Sequence, residues 1–412
     1  MLEKQIIHSF VSIVGEDNVD TSNMGRLTYS YDATPNFQAM PDAVIAPRNT
    51  NEVAEVLKVC NTHKIPVYVR GSGTNLCAGT CPLEGGIVLI FRHMNNILEI
   101  DEENLTITVQ AGVITLDIIR TGGKLAKDVA GYDLTRLFIG SEGTLGVVTE
   151  AILKLVPIPE TKKTMLALYE DINEAARAVS SIIANKIIPA TLEFLDQPTI
   201  EVVEEFAQIG LPTDVKAILL IEQDGPPEVV NRDIENMANV CRSMNAVDVR
   251  IAKDETEADA LRTARRSALS ALARLKPTTI LEDATVPRSQ IAPMVEAINA
   301  IAKKYNIPIC TFGHAGDGNL HPTCMTDARN AEEMHRAEQA FAEIFAKAIE
   351  LGGTITGEHG VGAMKAPYLE MKLGKEGIAA MQGIKQAFDP NNIMNPGKIF
   401  AKDTRKRVVV ER

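Results

Sequence analysis

The chain has 412 residues, 23% charged and 45% hydrophobic, which is ordinary for a soluble globular protein of two or three domains. Its net charge of −12 argues against nucleic acid as a partner, because phosphate binding requires basic surface. No run approaches the roughly 18 apolar residues of a membrane span, and the N-terminus shows no secretory signal. Six scattered cysteines indicate a reduced compartment, so we expect a cytoplasmic protein.

The first 156 residues are predicted to form a small α+β lobe. Apolar residues at helical spacing indicate a helix at the N-terminus, and a second helix begins at the Asn49-Thr50 cap. Short apolar runs then predict strands at 65–70, 85–91, 96–101 and 105–112. Pro157 and Pro159 follow a further strand and mark a domain boundary.

Residues 157–375 form the predicted second domain, in which strands alternate with amphipathic helices. This pattern predicts helices packed on a sheet. The strands are TMLALYE, ATLEFLD, AILLIEQDG and VDVRIAKD, and the helices cover 173–186, 227–243, 255–275, 289–305 and 330–351. Residues 376–412 are rich in turns and end in a basic tail. The predicted fold class is therefore α+β.

A glycine-rich loop follows the strand at 65–70. It contains Arg70-Gly71-Ser72-Gly73-Thr74 and extends to Gly79, and its consecutive N–H groups can bind a phosphate because glycine lets the backbone approach closely. Leu76 stands where a dinucleotide fingerprint has its third glycine, and no Walker Lys-Ser/Thr pair follows. Taken alone, this loop is explained equally well as a structural turn.

A second loop of glycines and small hydroxyl residues precedes the last strand of the first lobe. It is Gly140-Ser141-Glu142-Gly143-Thr144-Leu145-Gly146-Val147-Val148. Two such loops in one lobe favour an extended cofactor that carries phosphate.

The sequence TFGHAGDGNLHP, residues 311–322, predicts a β-hairpin with a histidine on each strand. A two-residue type I′ turn at Asp317-Gly318 places His314 opposite His321, with Cβ atoms about 4.5–5.5 Å apart. The later loop Gly357-Glu358-His359-Gly360 offers a carboxylate and a third imidazole. Two histidines and one carboxylate form a recurring metal set. The alternative is a polar cross-strand pair that binds no metal.

Two other groups of residues have simpler interpretations. Arg262, Arg265 and Arg266 lie on one predicted helix and are expected on a solvated face, unless one of them holds a carboxylate. Cys77 and Cys81 have no second cysteine pair beside them, so a zinc or iron–sulfur site is disfavoured. We expect both cysteines to be small buried residues.

Together the motifs resemble the FAD-linked D-2-hydroxy-acid dehydrogenases, in the D-lactate dehydrogenase and glycolate oxidase catalytic-subunit group of the vanillyl-alcohol-oxidase superfamily. The resemblance covers nearly the whole chain. Its motifs are PRNTNEVAEVLKVCN, RGSGTNLCAG, RTGGKLAKDVAGYDLTRLFIGSEGTLGVVTEAILKL, FGHAGDGNLHP, GEHGVG and DPNNIMNPGKIF. It implies a two-lobed FAD-binding domain at 1–156, a substrate or cap domain at 157–375, and a C-terminal segment at 376–412 that returns to the flavin domain.

The resemblance also implies which residues form the site. A divalent ion, Zn, Mn or Fe, is held by His314, His321 and Glu358. His359 is the base, and Arg265 holds the substrate carboxylate. The residues implied to contact FAD are Arg70, Gly71, Ser72, Gly73, Thr74, Gly79, Gly140, Ser141, Gly143, Thr144, Gly146, Val148 and Asn395.

The implied reaction oxidises a small D-2-hydroxy acid, with D-lactate as the expected substrate, to the 2-oxo acid by hydride transfer to the flavin. The sequence has no iron–sulfur cysteine set. The electrons are therefore expected to pass to a partner protein, such as an electron-transferring flavoprotein or an iron–sulfur subunit.

The sequence departs from the family between Ile118 and Ile119. The family has a long segment there, including a T-I-G-G-x-x-x-x-N-x-G-G flavin loop, that this sequence lacks. Two explanations stay open, a junction that omits residues of the natural protein and a real deletion. Because a real deletion would weaken FAD binding, a flavin-deficient protein that binds metal and carboxylate without turnover is the alternative. A nicotinamide-dependent dehydrogenase is disfavoured by the missing third glycine.

Overall fold

The computed structural model describes residues 2–112, 124 and 131–400. The chain forms two compact units: the first takes the residues up to Pro157 and from Gly360 onward, and the second is Ile158–His359. The sequence places the start of the returning segment at residue 376, whereas the chain re-enters the first unit at Gly360. The expected departure between Ile118 and Ile119 lies outside the described residues.

The helices and strands are numbered in chain order. The helices are α1 (Lys4–Val14), α2 (Asn23–Thr28), α3 (Thr50–His63), α4 (Leu134–Phe138), α5 (Ile172–Ala184), α6 (Gln197–Ala207), α7 (Pro227–Ser243), α8 (Glu255–Leu272), α9 (Ile291–Tyr305), α10 (Ala331–Glu350) and α11 (Leu369–Phe388). The strands are β1 (Val19–Asp20), β2 (Ala43–Ile45), β3 (Val67–Arg70), β4 (Ile87–Ile90), β5 (Ile97–Asp101), β6 (Thr106–Gln110), β7 (Glu150–Lys154), β8 (Thr161–Tyr169), β9 (Thr191–Asp196), β10 (Ala217–Gly225), β11 (Asp248–Ile251), β12 (Thr278–Leu281), β13 (Ala284–Thr285), β14 (Ile309–His314) and β15 (Asn319–Thr326). The predicted α+β class is confirmed.

The first unit is built on a sheet of order β1-β2-β4-β3, beside a smaller antiparallel sheet β5-β6-β7. Strands β2, β3 and β4 are parallel and direct alternate side chains to opposite faces. One face packs with apolar residues of α1 and α3, through Ala43, Ile45, Val67, Ile87 and Leu89. Ile393 and Met394 join the same cluster, so the C-terminal segment contributes to the core of the first unit.

The second unit is built on one antiparallel sheet of order β11-β8-β10-β9-β14-β15-β12, with β13 pairing with β15. Helices α5 and α7 pack on β8 and β10, and α9 packs on β14 and against α10. Helix α6 packs against α8 and on β9, β10 and β14. The sheet thus carries β9, β14 and β15 side by side, which fixes the side chains of these three strands. Within the described part of the chain, every helix is too short or too polar to serve as a membrane span.

β14 and β15 form the predicted hairpin, but the predicted turn is wrong. His314 pairs with Asn319 and Phe312 pairs with His321, so the connection is a four-residue loop. A type I′ turn needs positive φ at both central residues, and of Asp317 and Gly318 only Gly318 has it, at 74°. His314 and His321 are therefore diagonal neighbours on one face of the sheet, with ring centroids 5.1 Å apart.

The substitution Gly318→Ala tests how strictly this loop is determined. Gly318 has a φ of 74°, and a Cβ built there lies 2.0 Å from the carbonyl oxygen of Val286. We expect the free energy of unfolding to fall by about 2 kcal/mol or more, measured by urea denaturation.

Gly316→Ala is the control in the same loop. Its Cβ would meet the Leu192 Cβ at an ordinary 3.4 Å, and the residue has no positive φ. A similar loss of stability in both variants would contradict the assignment of a specific conformational role to Gly318.

Candidate functional site

Four potential metal ligands converge in the second unit. Asp283, His321, Glu358 and His359 each place one ligand atom within 4.8 Å of the others. Asp283 lies between β12 and β13, His321 lies on β15, and Glu358 and His359 lie in the loop after α10. His314, the last residue of β14, lies close to the Glu358 carboxylate as well. The pairing of β14, β15 and β13 brings these side chains together from distant parts of the sequence.

The Glu358 carboxylate is the centre of this cluster. Its Oε1 lies 3.2 Å from Nε2 of His314, 3.2 Å from Nε2 of His321 and 3.9 Å from Nε2 of His359. The hydrogen bond from His321 and the neighbouring imidazoles lower the pKa of Glu358 to about 2. Three imidazole nitrogens that face one carboxylate oxygen form a donor set that fits a divalent metal ion. His314, His321 and Glu358, the three predicted ligands, are thus brought together.

Glu193 is a buried carboxylate behind His314. Its Oε1 lies 2.7 Å from Nδ1 of His314, and its Oε2 accepts a hydrogen bond of 2.8 Å from Nε of Arg265. The hydrogen bond to Glu193 raises the pKa of His314. The Arg265 guanidinium also lies 4.9 Å from the centroid of the Phe312 ring. Arg265, the predicted carboxylate-binding residue, is therefore fixed beside the hairpin.

Asp283 is a second buried carboxylate, behind the other two histidines. Its Oδ2 accepts hydrogen bonds from the Thr356 hydroxyl at 2.8 Å and from the backbone N–H groups of residues 357–359 at 3.2, 3.4 and 3.1 Å. Its Oδ1 lies 3.0 Å from Nδ1 of His359 and 3.3 Å from Nδ1 of His321. The two imidazoles are stacked, with centroids 5.1 Å apart and planes 22° apart.

The sequence reasoning missed both supporting carboxylates. Glu193 interrupts the apolar run of ATLEFLD, and Asp283 stands two residues after the strand TTIL, behind Glu282. A carboxylate inside or beside an apolar strand is the signal that could have identified them, because Asp and Glu are almost never fully buried without partners. The sequence does not specify which histidine each carboxylate supports.

In the first unit, the loop after β3 offers unpaired backbone donors. Among the described residues, no acceptor is hydrogen-bonded to the N–H groups of 72–74. The Ser72 and Thr74 hydroxyls lie 3.2 Å apart, and a Cβ built on Gly71 meets nothing within 4 Å. Gly73 has a φ of 76°, and a Cβ there would lie 2.1 Å from the Arg70 guanidinium. Open space beside successive N–H groups fits a phosphate-bearing cofactor.

The second predicted loop contains a non-glycine residue in the left-handed region. Glu142 has a φ of 53°, between Gly140 at 78° and Gly143 at 69°. Its carboxylate accepts hydrogen bonds of 2.6 and 2.7 Å from the backbone N–H groups of residues 361–362. Burial raises the pKa of Glu142. A Cβ on Gly140 meets nothing within 4 Å, so this loop also borders open space.

Further hydrogen bonds fix the second loop from the C-terminal segment. Lys385 of α11 donates to the carbonyl oxygens of Thr144 and Met394, both at 2.7 Å. The adjacent Ser141 carbonyl accepts the Thr144 hydroxyl at 2.7 Å. The remaining predicted residues, Gly146 and Val148, lie half-buried in the irregular stretch before β7. The loop is thus held by the backbone and side chains of its own unit.

Asn395 connects the two loops. Its side-chain amide donates to the carbonyl oxygen of Glu142 at 2.6 Å and to that of Gly79 at 3.0 Å. The residue is buried and has a φ of 42°, which asparagine tolerates better than most residues. The two predicted FAD-binding loops are therefore joined to the C-terminal segment by hydrogen bonds at Gly79 and Glu142.

Comparison with known proteins identifies the family. The C-terminal domain of FAD linked oxidases matches residues 158–399, which is more than half of the chain, and an FAD binding domain matches residues 41–124. The chain belongs to the FAD-linked oxidases. It is therefore an FAD-linked oxidoreductase, and the resemblance inferred from its motifs is confirmed.

Several relatives of this FAD-linked oxidase are similar over most of their length. The glycolate oxidase subunit GlcD of Bacillus subtilis is 64% identical over 470 residues, covering 100% of both chains. The subunit of the same name from Escherichia coli K12 is 32% identical over 90% of this chain and 86% of its own. A D-lactate dehydrogenase of Anaerostipes hadrus is 31% identical over 89% of this chain and 90% of its own.

The B. subtilis alignment also bears on the missing segment. It extends over 470 positions, whereas this FAD-linked oxidase has 412 residues, so the relative contains residues without a counterpart here. This agrees with the family segment that the sequence lacks.

Solved structures support the fold of this FAD-linked oxidase. p-Cresol methylhydroxylase has a TM-score of 0.80 at 18% identity and covers 96% of each chain. 4-Ethylphenol oxidase from Gulosibacter chungangensis has a TM-score of 0.76 at 17% identity and covers 98% of each chain. The predicted vanillyl-alcohol-oxidase type of fold is confirmed.

The substitution Asn395→Ala tests the framework that joins the two loops. It removes two hydrogen bonds and leaves the part-buried carbonyl oxygen of Glu142 and the buried one of Gly79 without this donor. We expect the free energy of unfolding to fall by about 2 kcal/mol and less FAD to remain after gel filtration, measured as flavin absorbance per mole of protein.

Asn392→Ala is the matched control for Asn395→Ala. Asn392 lies in the same segment with a φ of 51°, but its side chain is exposed. Both variants lose an asparagine in the left-handed region. The difference in FAD retention and in unfolding free energy between them therefore reports the effect of the two side-chain hydrogen bonds. Equal FAD retention in both would contradict a cofactor-supporting role for Asn395.

Proposed function

We propose that this FAD-linked oxidase catalyses the metal-dependent oxidation of a small D-2-hydroxy acid to the 2-oxo acid. D-lactate is the first candidate substrate and glycolate the second. The observation that carries the proposal is the convergence of His314, His321 and His359 on Glu358. The names of relatives, glycolate oxidase subunit and D-lactate dehydrogenase, support the substrate class.

His314, His321 and Glu358 are the proposed ligands of a divalent ion, Zn, Mn or Fe. When bound, such an ion supplies a Lewis acid that lowers the pKa of the substrate hydroxyl. Nε2 of both histidines faces Glu358. Nδ1 of each faces a buried carboxylate, Glu193 or Asp283. The hydrogen bond to Glu193 holds the His314 ring in a fixed orientation, as is usual for histidine ligands.

His359 is the proposed base and takes the proton of the 2-hydroxyl. Arg265 is the proposed partner of the substrate carboxylate, since a guanidinium binds carboxylates well. Glu193 and Phe312 hold that guanidinium in place. FAD, held by the loops of the first unit, would supply the acceptor for the hydride from C2 of the substrate.

The proposed FAD ligands are the two glycine-rich loops and Asn395. The N–H groups of the Gly71–Thr74 loop would bind the pyrophosphate, and residues 140–148 together with Asn395 would line the flavin. The open space beside Gly71 and Gly140 supports this assignment.

The electrons must leave the reduced flavin through another molecule. All six cysteines are free thiols and buried, which suits a reduced compartment. We propose an electron-transferring flavoprotein or an iron–sulfur subunit as the electron acceptor. The free thiols place the protein, in this proposal, in the cytoplasm.

The visible spectrum of the purified protein tests the function directly. Under anaerobic conditions, D-lactate is expected to bleach the flavin band, with glycolate compared in parallel. Treatment with a chelator is expected to abolish the bleaching, and Zn²⁺, Mn²⁺ or Fe²⁺ to restore it. A flavin band that neither acid bleaches, in protein shown to contain metal, would contradict the proposal.

His359→Asn tests the proposed base. We expect turnover to fall by about 10²–10⁴-fold while the metal content stays unchanged, as measured by elemental analysis. His335→Asn, at an exposed position of α10, is the control and should retain full activity. Loss of metal from the His359 variant would make this residue a ligand and would remove the base assignment.

A second candidate function is a flavin-deficient protein that binds metal and carboxylate without turnover. It is favoured by the alignment over 470 positions, against 412 residues in this chain. Metal without flavin in the purified protein, together with D-lactate binding by calorimetry but no oxidation, would support this function over the first.

A further inference from the structure

We propose that an N-terminal arm, residues 29–39, positions the glycine-rich loop after β3 for the FAD pyrophosphate, with Asp32 and Thr34 as its positioning residues. The inference rests on the proposed function, in which N–H groups of this loop bind the pyrophosphate. Neither side chain contacts FAD in this proposal. Both act through the backbone of the loop, which they bind with hydrogen bonds.

The glycine-rich loop depends on other parts of the chain for its conformation. It follows β3, and residues 71–86, all of them described, contain no helix or strand. Gly73 and Ala78 have φ angles of 76° and 56°. An alanine adopts the left-handed region only where its surroundings hold it there. The neighbours of the loop therefore impose its conformation.

Thr34 binds the loop at two points through one hydroxyl. The side chain is buried, and its Oγ1 donates to the carbonyl oxygen of Asn75 at 3.2 Å and accepts the N–H of Ala78 at 2.6 Å. Ala78 is the residue with the unfavourable φ, so the hydroxyl supports the backbone where it is strained. Making both bonds requires a side chain that donates and accepts at the same atom.

Asp32 fixes the arm and the end of the loop together. The side chain is buried, and its Oδ2 accepts the N–H of Thr80 at 3.1 Å. Its Oδ1 accepts the N–H of Thr34 at 3.0 Å, in the turn that aspartate forms with the backbone two residues on. The same carboxylate thus orients the backbone that carries Thr34 and holds the loop beyond Ala78.

The arm also determines the direction of an N–H group in the loop. The N–H of Ala33 donates to the carbonyl oxygen of Gly73 at 3.1 Å. In a planar trans peptide the carbonyl and the following N–H point in opposite directions, so the Thr74 N–H is directed away from the arm. That N–H has no acceptor among the described residues. The arm therefore occupies carbonyl oxygens of the loop and leaves N–H groups for an anion.

Arg70 adds a further contact between the arm and the loop. Its guanidinium donates to the carbonyl oxygen of Tyr31 and lies 5.5 Å from the centroid of the Tyr29 ring. A Cβ built on Gly73 would lie 2.1 Å from the same guanidinium. The guanidinium is thus held between the arm and the backbone of the loop.

Thr34→Val tests the proposal because it removes both hydrogen bonds at nearly constant side-chain volume, whereas Thr34→Ser keeps the hydroxyl. The full-length protein, freed of flavin, is titrated with FAD by fluorescence and with ADP by calorimetry, since ADP carries the pyrophosphate without the flavin. We expect the Kd of both ligands to rise about tenfold or more in Thr34→Val. In Thr34→Ser both values should stay within about twofold of the unsubstituted chain.

Ser30→Ala is the matched control in the same arm. Ser30 is fully buried, and its hydroxyl donates to the carbonyl oxygen of Leu27 and accepts Nε2 of Gln38, both at 2.8 Å. The control also loses two hydrogen bonds, but both partners lie outside the glycine-rich loop. We expect a decrease in Tm similar to that of Thr34→Val and a Kd within about twofold for FAD and ADP. Equal weakening of binding in both variants would overturn the proposal.

Amide hydrogen exchange of the flavin-free protein supplies a measurement that does not depend on affinity. The N–H groups of Ala78 and Thr80 are expected to exchange slowly in the unsubstituted chain. Exchange at Ala78 should be at least about tenfold faster in Thr34→Val, because its acceptor is lost. Rapid exchange of both amides in the unsubstituted chain would overturn the proposal even if Thr34→Val failed to fold.

The outcomes separate this inference from the proposed function. An unchanged Kd for FAD in Thr34→Val would overturn the role of the arm and leave the proposed function intact. The expected differences in Kd, in a protein whose flavin no 2-hydroxy acid bleaches, would support the role of the arm and refute the proposed function. A chain that binds neither FAD nor ADP would overturn both, since the loop would then hold no pyrophosphate.

Discussion

A carboxylate without access to water must be surrounded by hydrogen-bond donors, and Asp283 meets this constraint with the loop that carries the candidate site. The Thr356 hydroxyl and the N–H groups of 357–359 converge on one of its oxygens. The loop between α10 and Gly360 forms one isolated β-bridge, between Thr354 and Thr285, and beyond it these bonds to Asp283 hold the backbone. Glu358 and His359 face the hairpin histidines because the backbone that carries them is bound to Asp283.

In the first unit, too, polar side chains bind the backbone of irregular loops. Glu142 and Lys385 are polar side chains that bind backbone groups of neighbouring segments, residues 361–362 in one case and Thr144 and Met394 in the other. Asn395 adds two more such bonds. In both units the irregular loops, which have no ladder of their own, are held by buried side chains that replace the missing backbone partners.

Local signals in the sequence predicted much of the fold because they depend on neighbouring residues only. Asn49 caps α3 by accepting the N–H of Glu52 at 3.0 Å, and α7 has the predicted bounds, Pro227–Ser243. The predicted type I′ turn was wrong. The conformation of the loop involves Val286, which is distant in sequence and whose carbonyl oxygen lies beside Gly318. Helix α6 was missed although Asp196 caps it, and that carboxylate also binds the N–H of Thr311 on another strand.

The candidate site shows the same division between local and distant information. His314, His321 and Glu358 could be grouped because their residue types alone suggest a metal, whereas Glu193 and Asp283 act only through side chains that the sheet brings to them.

The shortened first unit adds a second consequence of distant packing. Strand β5 leaves Ile97 and Ile100 more than half exposed, at 55% and 59%. An apolar edge strand of this kind is normally covered. The B. subtilis relative has residues that this sequence lacks. The second unit has its antiparallel sheet and its cluster of potential metal ligands, and FAD retention is therefore the property that separates the two candidate functions.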